Sequence, residues 1–411
     1  MKSMTRTILY FAMAVVISAA AAVALTLTII NAGERDKVVL TAEEYAKTND
    51  LRVLQEMMDK IDSEALDGGA ERETLITAAA NGMLEALNDP YAAYFTAEEY
   101  EKYLSRINGE YNGIGILVSQ PDEVGATVLD VYEATPAEQA GIKTNDIITA
   151  VDGASVMGMQ LDELGAAINR EIGMPVELTL LRGAETLAIS VTSGTINVKR
   201  VEYALFNEYT GYIRIDMFTG NCVAEFSEAF KDLTERGMRS LIIDLRNNPG
   251  GSLGDVVDIA DTILGDCVIV SVQDRDGKDA KVYRSSGKAL KVPLAVIVNE
   301  NSASASEILA SAVQDNKAGA VVGMTTYGKG VVQTTMRLDA NGGWLKITTD
   351  AYYTPNGCDI NGSGVTPDIE IDLPDDMKGV AITDLDQAED AQLWEALNYV
   401  RDMAAGRNTE E

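Results

Sequence analysis

The chain has 411 residues, of which 46% are hydrophobic and 24% are charged. This balance predicts two or three globular domains and excludes a disordered, collagen-like or coiled-coil protein. Lysine and arginine number 33 against 64 aspartates and glutamates, a net charge of −31, so no nucleic acid partner is expected. Histidine is absent, which excludes Ser-His-Asp and Cys-His catalysis. The three cysteines are far apart in the sequence, so no zinc site is expected.

Residues 1–35 are predicted to form an N-terminal membrane anchor or signal sequence. The segment 8–30 is 23 residues long without a charge, enough for a helix to cross a hydrocarbon core of about 30 Å. Lys2 and Arg6 precede it, so the positive-inside rule keeps the N-terminus in the cytoplasm. A signal peptide cleaved at 22–24 is the alternative. Either interpretation exports the globular part, and the first predicts a single-pass protein of the cell membrane.

The exported part divides into four regions. Residues 41–104 repeat apolar residues near a 3.6-residue period, which predicts two or three packed helices. Residues 105–195 alternate short apolar runs with turns and contain two helical stretches, as a strand-rich domain does. Residues 205–372 alternate strands and helices, which predicts an α/β domain. Residues 383–404 are predicted to form an amphipathic helix that packs on another surface, with a second copy of the chain as one candidate. In the α/β region, strands are predicted at 241–245 and 294–298, and helices at 223–234, 253–264 and 306–314.

Ser304 is a candidate nucleophile. It lies in the run Ser302-Ala303-Ser304-Ala305-Ser306, which leads from an apolar strand into a helix. A serine on such a turn is exposed, and the free N–H groups of the following helix favour an alkoxide or an oxyanion beside it. The alternative is structural, because Ser304-x-x-Glu307 is also a capping box.

Lys329 is a candidate general base, since it lies among glycines and apolar residues. A desolvated lysine can lose its proton near neutral pH, and Gln333, four residues on, could orient the amine. A solvated lysine in a turn is the alternative. The run Gly323-x-x-x-x-Gly328-Lys329 imitates a phosphate-binding loop, but Gly330 replaces the Ser or Thr that would hold magnesium. No metal or nucleotide cofactor is therefore implied.

A third segment, 244–251, ends an apolar strand with the turn Asn248-Pro249-Gly250-Gly251. Such a turn can direct backbone N–H groups at an oxyanion. By itself it is only a strand-to-helix loop.

These segments resemble the carboxyl-terminal processing proteases, also called tail-specific proteases. The resemblance covers nearly everything after about Asp89 and includes, in order, 244–251, 302–307, Gln314-Asp315 and 326–333. It implies that Ser304 is the nucleophile, Lys329 the base and Gln333 the residue that orients the lysine. It further implies oxyanion donors at Gly250 or Gly251 and at Ala305, and supporting roles for Glu307, Asp315 and Thr326.

The middle region resembles a PDZ domain inserted before the catalytic core. Its match to the carboxylate-binding loop is Gly113-Ile114-Gly115-Ile116, whose backbone N–H groups would hold the terminal carboxylate of a peptide. A simple hairpin would use such a Gly-x-Gly equally well.

The expected fold is an α/β catalytic core, ClpP/crotonase-like by family resemblance, with a β-rich PDZ domain of two helices and helical N- and C-terminal segments behind a membrane anchor. The resemblance implies a serine endopeptidase that cleaves exported or membrane proteins near exposed C-termini. Helices at both ends of the exported part make a homodimer plausible. The alternative is an inactive PDZ scaffold that only binds C-terminal tails, although such a scaffold has no need of Ser304, Lys329 and Gln333 together.

Overall fold

The computed structural model describes residues 49–406, apart from 67, 109, 278–280, 288–289, 375–376, 378–381, 383–384 and 386–388, together with Met13, Ser18 and Thr41. Most of the anchor predicted at 8–30 thus lies outside the described residues. Within the described part of the chain, no helix combines the length and the apolar character needed to cross a bilayer. The chain divides into a first unit that ends at Met83 and a second that begins at Leu84.

The first unit contains helix α1 (Arg52–Glu64) and most of helix α2 (Arg72–Glu85). The two helices are linked by a hydrogen bond of 2.8 Å from Arg72 Nη2 to Gln55 Oε1. Neither helix buries a residue. The two helices predicted from the apolar period of this region are therefore confirmed. Within the described residues, however, they bury no hydrophobic core.

Strand β1 (Ala93–Phe95) and helix α3 (Ala97–Asn108) belong to the second unit. The ring of Tyr100 on α3 stacks on Trp344 with 4.0 Å between the ring centroids. Helix α3, the last helix of the predicted helical region 41–104, therefore packs on the segment that carries Trp344.

Residues 110–197 form a strand-rich domain that is inserted through two paired strands. Strand β2 (Glu110–Gly113) leads into the domain and is antiparallel to β9 (Gly194–Asn197), which leads out of it. Between them lie β3 (Ile116–Val118), β4 (Ala126–Val131), α4 (Pro136–Gln139), β5 (Ile147–Val151), β6 (Ala154–Ser155), α5 (Leu161–Ile168), β7 (Pro175–Arg182) and β8 (Glu185–Thr192). The sheet order is β3-β4-β5-β7-β8, with β6 beside β5. The predicted β-rich domain with two helices is confirmed.

The predicted α/β region is built on a second sheet. Its strands and connecting helices are β10 (Val201–Phe206), β11 (Thr210–Ile215), α6 (Cys222–Glu235), β12 (Ser240–Asp244), α7 (Leu253–Ile263), β15 (Leu294–Val298), α8 (Ala305–Asp315), β16 (Ala320–Gly323) and β19 (Ile369–Glu370). The strand order is β10-β11-β12-β15-β16-β19. All neighbours are parallel except β10 and β11. Every residue of β12 and β15 is buried, as expected for a parallel sheet covered on both faces.

A smaller antiparallel sheet consists of β1, β13 (Val268–Asp274), β14 (Lys281–Arg284), β17 (Val331–Arg337) and β18 (Trp344–Tyr353). Strand β18 is central, since it pairs with β1, β13 and β17. This pairing brings residues distant in sequence to the segment that follows Lys329.

Helix α9 (Ala391–Ala404) covers one face of the parallel sheet. Its side chains Leu393, Ala396 and Val400 are buried in a cluster with sheet residues such as Ile297. Trp394, on the opposite side, is 56% exposed. The predicted amphipathic helix that packs on another surface is thus confirmed, and that surface is the chain's own sheet and not a second copy.

Candidate active site

Ser304 lies on the turn between strand β15 and helix α8. Its backbone has φ 54° and ψ −111°, a region that costs a residue with a side chain of the order of 1–3 kcal/mol. A strained strand-to-helix turn of this kind raises a serine hydroxyl above the sheet edge and beside the N-terminus of a helix. The geometry matches the use of Ser304 as a nucleophile.

The alternative interpretation of Ser304 as a helix cap is also partly right, because the capping box is present. The Ser304 N–H donates to Glu307 Oε2 at 2.7 Å. The Glu307 N–H donates to the Ser304 carbonyl oxygen at 2.9 Å. Both hydrogen bonds use main-chain atoms of Ser304, and the half-buried side chain lines a cavity, so helix capping and a reactive hydroxyl are compatible.

The glycine turn of 248–251 lies directly against Ser304. A Cβ placed on Gly250 would be 2.8 Å from Ser304 Cβ and 2.9 Å from Ala305 N, and Gly250 has φ +103°. The Gly250 N–H is occupied, since it donates to Asn248 Oδ1 at 2.8 Å. No acceptor among the described residues takes the N–H of Gly251 or of Ala305. Gly251 and Ala305 are therefore the donors available to an oxyanion.

Ser304 and Lys329 line one cavity of about 480 Å³, together with Gly250, Gly251, Ala305 and Gln333. The Lys329 ammonium lies 4.3 Å from the ring centroid of Tyr91. Burial lowers the pKa of Lys329 below its ordinary value, and the charge of Lys346 acts in the same direction, whereas Glu307 and Asp89 oppose it. A lysine with a lowered pKa can hold a neutral amine that accepts a proton.

Glu307 joins the nucleophile turn to the lysine loop. Its carboxylate is fully buried. Besides Ser304, it accepts hydrogen bonds from Thr326 Oγ1 at 2.6 Å, from Gly328 N at 2.7 Å and from Lys329 N at 2.8 Å. Thr326 Oγ1 also accepts the N–H of Val365 at 2.7 Å. Glu307 and Thr326 thus hold the main chain around both predicted catalytic residues.

Of the two predicted site residues Gln333 and Asp315, Gln333 lines the cavity and Asp315 lies away from it. Gln333 lines it, but the Gln333 amide donates to Thr348 Oγ1 at 3.3 Å. Asp315 ends helix α8, roughly 15 Å from Ala305 along the helix axis, and accepts the Asn356 N–H at 2.9 Å. The structure therefore brings Gln333, but not Asp315, to the cavity.

Tyr352 and Lys346 on β18 were missed by the sequence analysis. The buried Tyr352 hydroxyl hydrogen bonds with the carbonyl oxygen of Ser304 at 3.1 Å and with that of Lys329. Lys346 lines the same cavity as Ser304 and Lys329. Only the three aromatic residues of 344–353 and its single lysine could have drawn attention to this strand.

A buried ionic network lies beneath the glycine turn. Arg246, 1% exposed, donates to both carboxylate oxygens of Asp244 and of Asp390, the residue that caps helix α9. Burial opposes the charge of Arg246, but Asp244 and Asp390 outweigh this effect and raise its pKa. Tyr212 adds a hydrogen bond of 2.8 Å to Asp244 Oδ2. The network ties the C-terminal helix to the segment that carries Gly250 and Gly251.

In the inserted domain, the predicted peptide-binding residues 113–116 comprise the last residue of β2, the two-residue loop Ile114-Gly115 and the first residue of β3. Ile114 is buried, and Gly115 has φ +86°. A Cβ at Gly115 would lie 2.4 Å from Thr135 Cβ. Strand β3 follows the loop and, among the described residues, pairs with β4 alone. A free strand edge next to this loop is the arrangement that a peptide needs to extend a sheet.

Comparisons with known proteins agree with both parts of this arrangement. Residues 209–371 match peptidase family S41, and residues 112–192 match the PDZ domain. A Staphylococcus haemolyticus protein named "Probable CtpA-like serine protease" is 36% identical over 303 residues, which is 73% of this chain and 60% of the relative. The chain thus spans about 60% of the length of the staphylococcal relatives it matches.

Solved structures give a similar result. An S41-type protease structure from Bacteroides fragilis superimposes with a TM-score of 0.50 at 15% identity, over 79% of this chain and 88% of that one. At this identity the likeness concerns the fold alone. The photosystem II D1 C-terminal processing protease is 28% identical, with a TM-score of 0.49, over 83% of this chain and 97% of that one.

Proposed function

Because this chain belongs to peptidase family S41, we propose that it is a serine endopeptidase with Ser304 as nucleophile and Lys329 as general base. The observation that carries the proposal is the strained turn at Ser304, which shares one cavity with Lys329 and two N–H groups without acceptors. The substrates we propose are exported or membrane proteins with exposed C-termini.

The reaction follows from these positions. The neutral amine of Lys329 takes the proton of the Ser304 hydroxyl, and Oγ attacks the scissile carbonyl carbon. The N–H groups of Gly251 and Ala305 stabilise the negative oxygen of the tetrahedral intermediate. Lys329 returns the proton to the leaving amine, and a water molecule then hydrolyses the ester on Ser304. Gln333 lines the cavity from β17, where its amide can orient the lysine once substrate excludes water.

The PDZ domain is proposed to select the substrate by its chain end. The loop 113–116 precedes the free edge of β3, so a peptide added along this edge would direct its terminal carboxylate at the loop. Tail recognition would then raise the local concentration of substrate near the cavity.

Residues 8–30 are proposed to anchor the protein in the cell membrane with the catalytic domain outside the cytoplasm. Their length and lack of charge support this proposal. Protease added to intact cells should shave the domain from the membrane fraction, and protection from that protease would contradict this topology.

The direct test is cleavage of an unstructured protein by the full chain purified in mild detergent. Ser304→Ala and Lys329→Ala should each abolish cleavage, because nucleophile and base act as a unit. Ser227→Ala, at an exposed helix position bonded to the Val223 carbonyl oxygen, is the matched control and should leave the rate unchanged. Cleavage by Ser304→Ala with an unchanged circular dichroism spectrum would refute the assignment. Tail binding without any cleavage would favour the inactive scaffold.

A further inference from the structure

The cavity that holds Ser304 and Lys329 contains a second lysine, Lys346, on strand β18. Its ammonium lies 4.9 Å from the ring centroid of Tyr103 and 5.8 Å from that of Phe95. Among the described residues, Lys346 forms no ion pair and no side-chain hydrogen bond. The rings stabilise the cation through their negative faces, and within the described residues no carboxylate lies within salt-bridge distance of the ammonium, although the charge of Asp89 acts on it.

The nearby carboxylates do not neutralise the two lysines by direct contact. The carboxylate oxygens of Glu307, on α8, accept four hydrogen bonds from main-chain and hydroxyl donors. Asp89, in the segment before β1, accepts the N–H groups of Thr348 at 3.0 Å and of Tyr91 at 2.9 Å. The cavity therefore holds two like charges whenever both lysines are protonated, and repulsion makes this state unfavourable.

We propose that the ammonium of Lys346 keeps Lys329 in its neutral, proton-accepting form in the resting site by charge repulsion. Lys346 is then a positioning residue that acts through Lys329 and does not touch the reacting atoms. The proposal rests on the assignment of Lys329 as general base.

The electrostatics of the surrounding groups support this division of roles. Burial and then the charge of Lys346 lower the pKa of Lys329, against the opposing effects of Glu307 and Asp89. Burial also lowers the pKa of Lys346, which Asp89 opposes. We assign the first deprotonation of the pair to Lys329, because the Lys346 cation has the negative faces of two rings, Tyr103 and Phe95, and Lys329 has one. The other titratable groups that face the pair are the phenols of Tyr91, Tyr103, Tyr327 and Tyr352.

The test measures the protonation of Lys329 directly, without relying on catalysis. The full chain is labelled with [ε-13C]lysine, and the signal of Lys329 is identified by its loss in Lys329→Arg. We expect the titration midpoint of this signal to move to higher pH in Lys346→Met, which removes the charge and keeps the length of the side chain. Lys346→Arg, which retains the charge, should restore the wild-type midpoint. Lys231→Met, at a lysine with 76% of its side chain exposed, is the control for loss of one surface charge.

A midpoint that stays unchanged in Lys346→Met, or that moves as far in Lys346→Arg, would overturn the proposal. Lys346→Gln serves as the second neutral variant if Lys346→Met does not fold. If the wild-type chain cleaves no peptide but the midpoint still moves as expected, the proposed function fails and the coupling of the two lysines holds.

Kinetics give an independent readout. With an uncharged, C-terminally amidated peptide, the wild type should exceed Lys346→Met in kcat/KM by about threefold or more near pH 7, with the ratio approaching one at high pH. A raised KM at every pH with an unmoved acid limb would mean that Lys346 binds substrate instead, and would contradict the proposal.

Discussion

The buried pair between Arg246 and Asp390 should make the C-terminal helix essential to the stability of the catalytic region. Asp390 Oδ1 and Oδ2 accept Arg246 Nη1 at 2.9 Å and Nη2 at 2.8 Å. Oδ1 also accepts the Leu393 N–H at 3.0 Å, which caps helix α9. Asp390→Ala removes all three hydrogen bonds and leaves a buried guanidinium with Asp244 and with Gln392 Oε1, which accepts from Arg246 Nη1 at 3.2 Å.

The magnitude follows from burial. Removing one partner of a buried ion pair costs about 3–5 kcal/mol, and the loss of an N-cap costs about 0.5–2 kcal/mol. Because Asp244 still pairs with Arg246 at 2.6 Å, we expect a total near the lower limit of the two costs together, about 3.5 kcal/mol. Asp390→Asn keeps one carbonyl acceptor for the cap and should lie between this value and the wild type. The matched surface pair of Asp232 and Arg236, 39% and 48% exposed, should lose about 0–1 kcal/mol in Asp232→Ala.

Urea unfolding provides the assay, since the midpoint changes with stability at constant slope. Trp394 lies on α9, and Trp344→Phe leaves it as the single tryptophan of the chain, so its emission reports helix docking. A loss in Asp390→Ala within about 0.5 kcal/mol of that in Asp232→Ala would refute the argument that the buried network holds the helix.

Three further results are expected. Gly250→Ala should lower kcat/KM by about 100-fold, because the added Cβ would lie 2.8 Å from Ser304 Cβ at a φ of +103° and would displace the nucleophile. Near-wild-type cleavage would contradict the close approach. The wild-type kcat/KM should rise with pH and level off below pH 10.5, the ordinary pKa of lysine, since the lowered pKa of Lys329 leaves more neutral base at each pH. A fall of kcat/KM above pH 7 would contradict the assignment of Lys329 as the base. A substrate with a free C-terminus should be cleaved faster than the same peptide with an amidated C-terminus, by about 10- to 150-fold, because amidation removes charge-assisted hydrogen bonds. Gly115→Glu, whose side chain would collide with Thr135, should abolish this difference. Equal rates for the two peptides in the wild type would place tail recognition elsewhere.

Local sequence rules predicted the parallel core well. The strands expected at 241–245 and 294–298 are Ser240–Asp244 and Leu294–Val298, and the helix expected at 306–314 is Ala305–Asp315. These elements are set by continuous apolar runs, by small residues at the turns and by a capping residue. All of these signals lie within a few residues of each other, so a short window is enough to find them.

The missing parts of the site depend on pairing over long distances. Lys346 and Tyr352 reach the cavity because β18 pairs with β1 and β17, and no periodicity in 344–353 specifies those partners. Gln333 illustrates the same limit. Its predicted alignment with Lys329 assumed a regular element, but the ladder of β17 shifts register between Val332 and Gln333, and such a shift changes which side chains share a face.

The C-terminal helix shows why an amphipathic pattern does not identify its partner. Its apolar period was recognised, but its covering surface is the chain's own sheet, around Ile242, Ala295 and Ile297. Arg246 and Asp390, 144 residues apart in the chain, fix this docking.

The chain enters and leaves the PDZ domain through the paired strands β2 and β9. Glu110 lies opposite Asn197, and Gly113 lies opposite Gly194, so the chain leaves the catalytic part and returns to it at neighbouring points. Insertions with adjacent ends disturb a host fold least. A short turn across this ladder could therefore replace the whole domain, and a foreign recognition module could be grafted at the same two strands. With the proposed tail recognition in the PDZ domain, evolution can change the substrate specificity by replacing this whole domain, while the proposed catalytic groups remain in place.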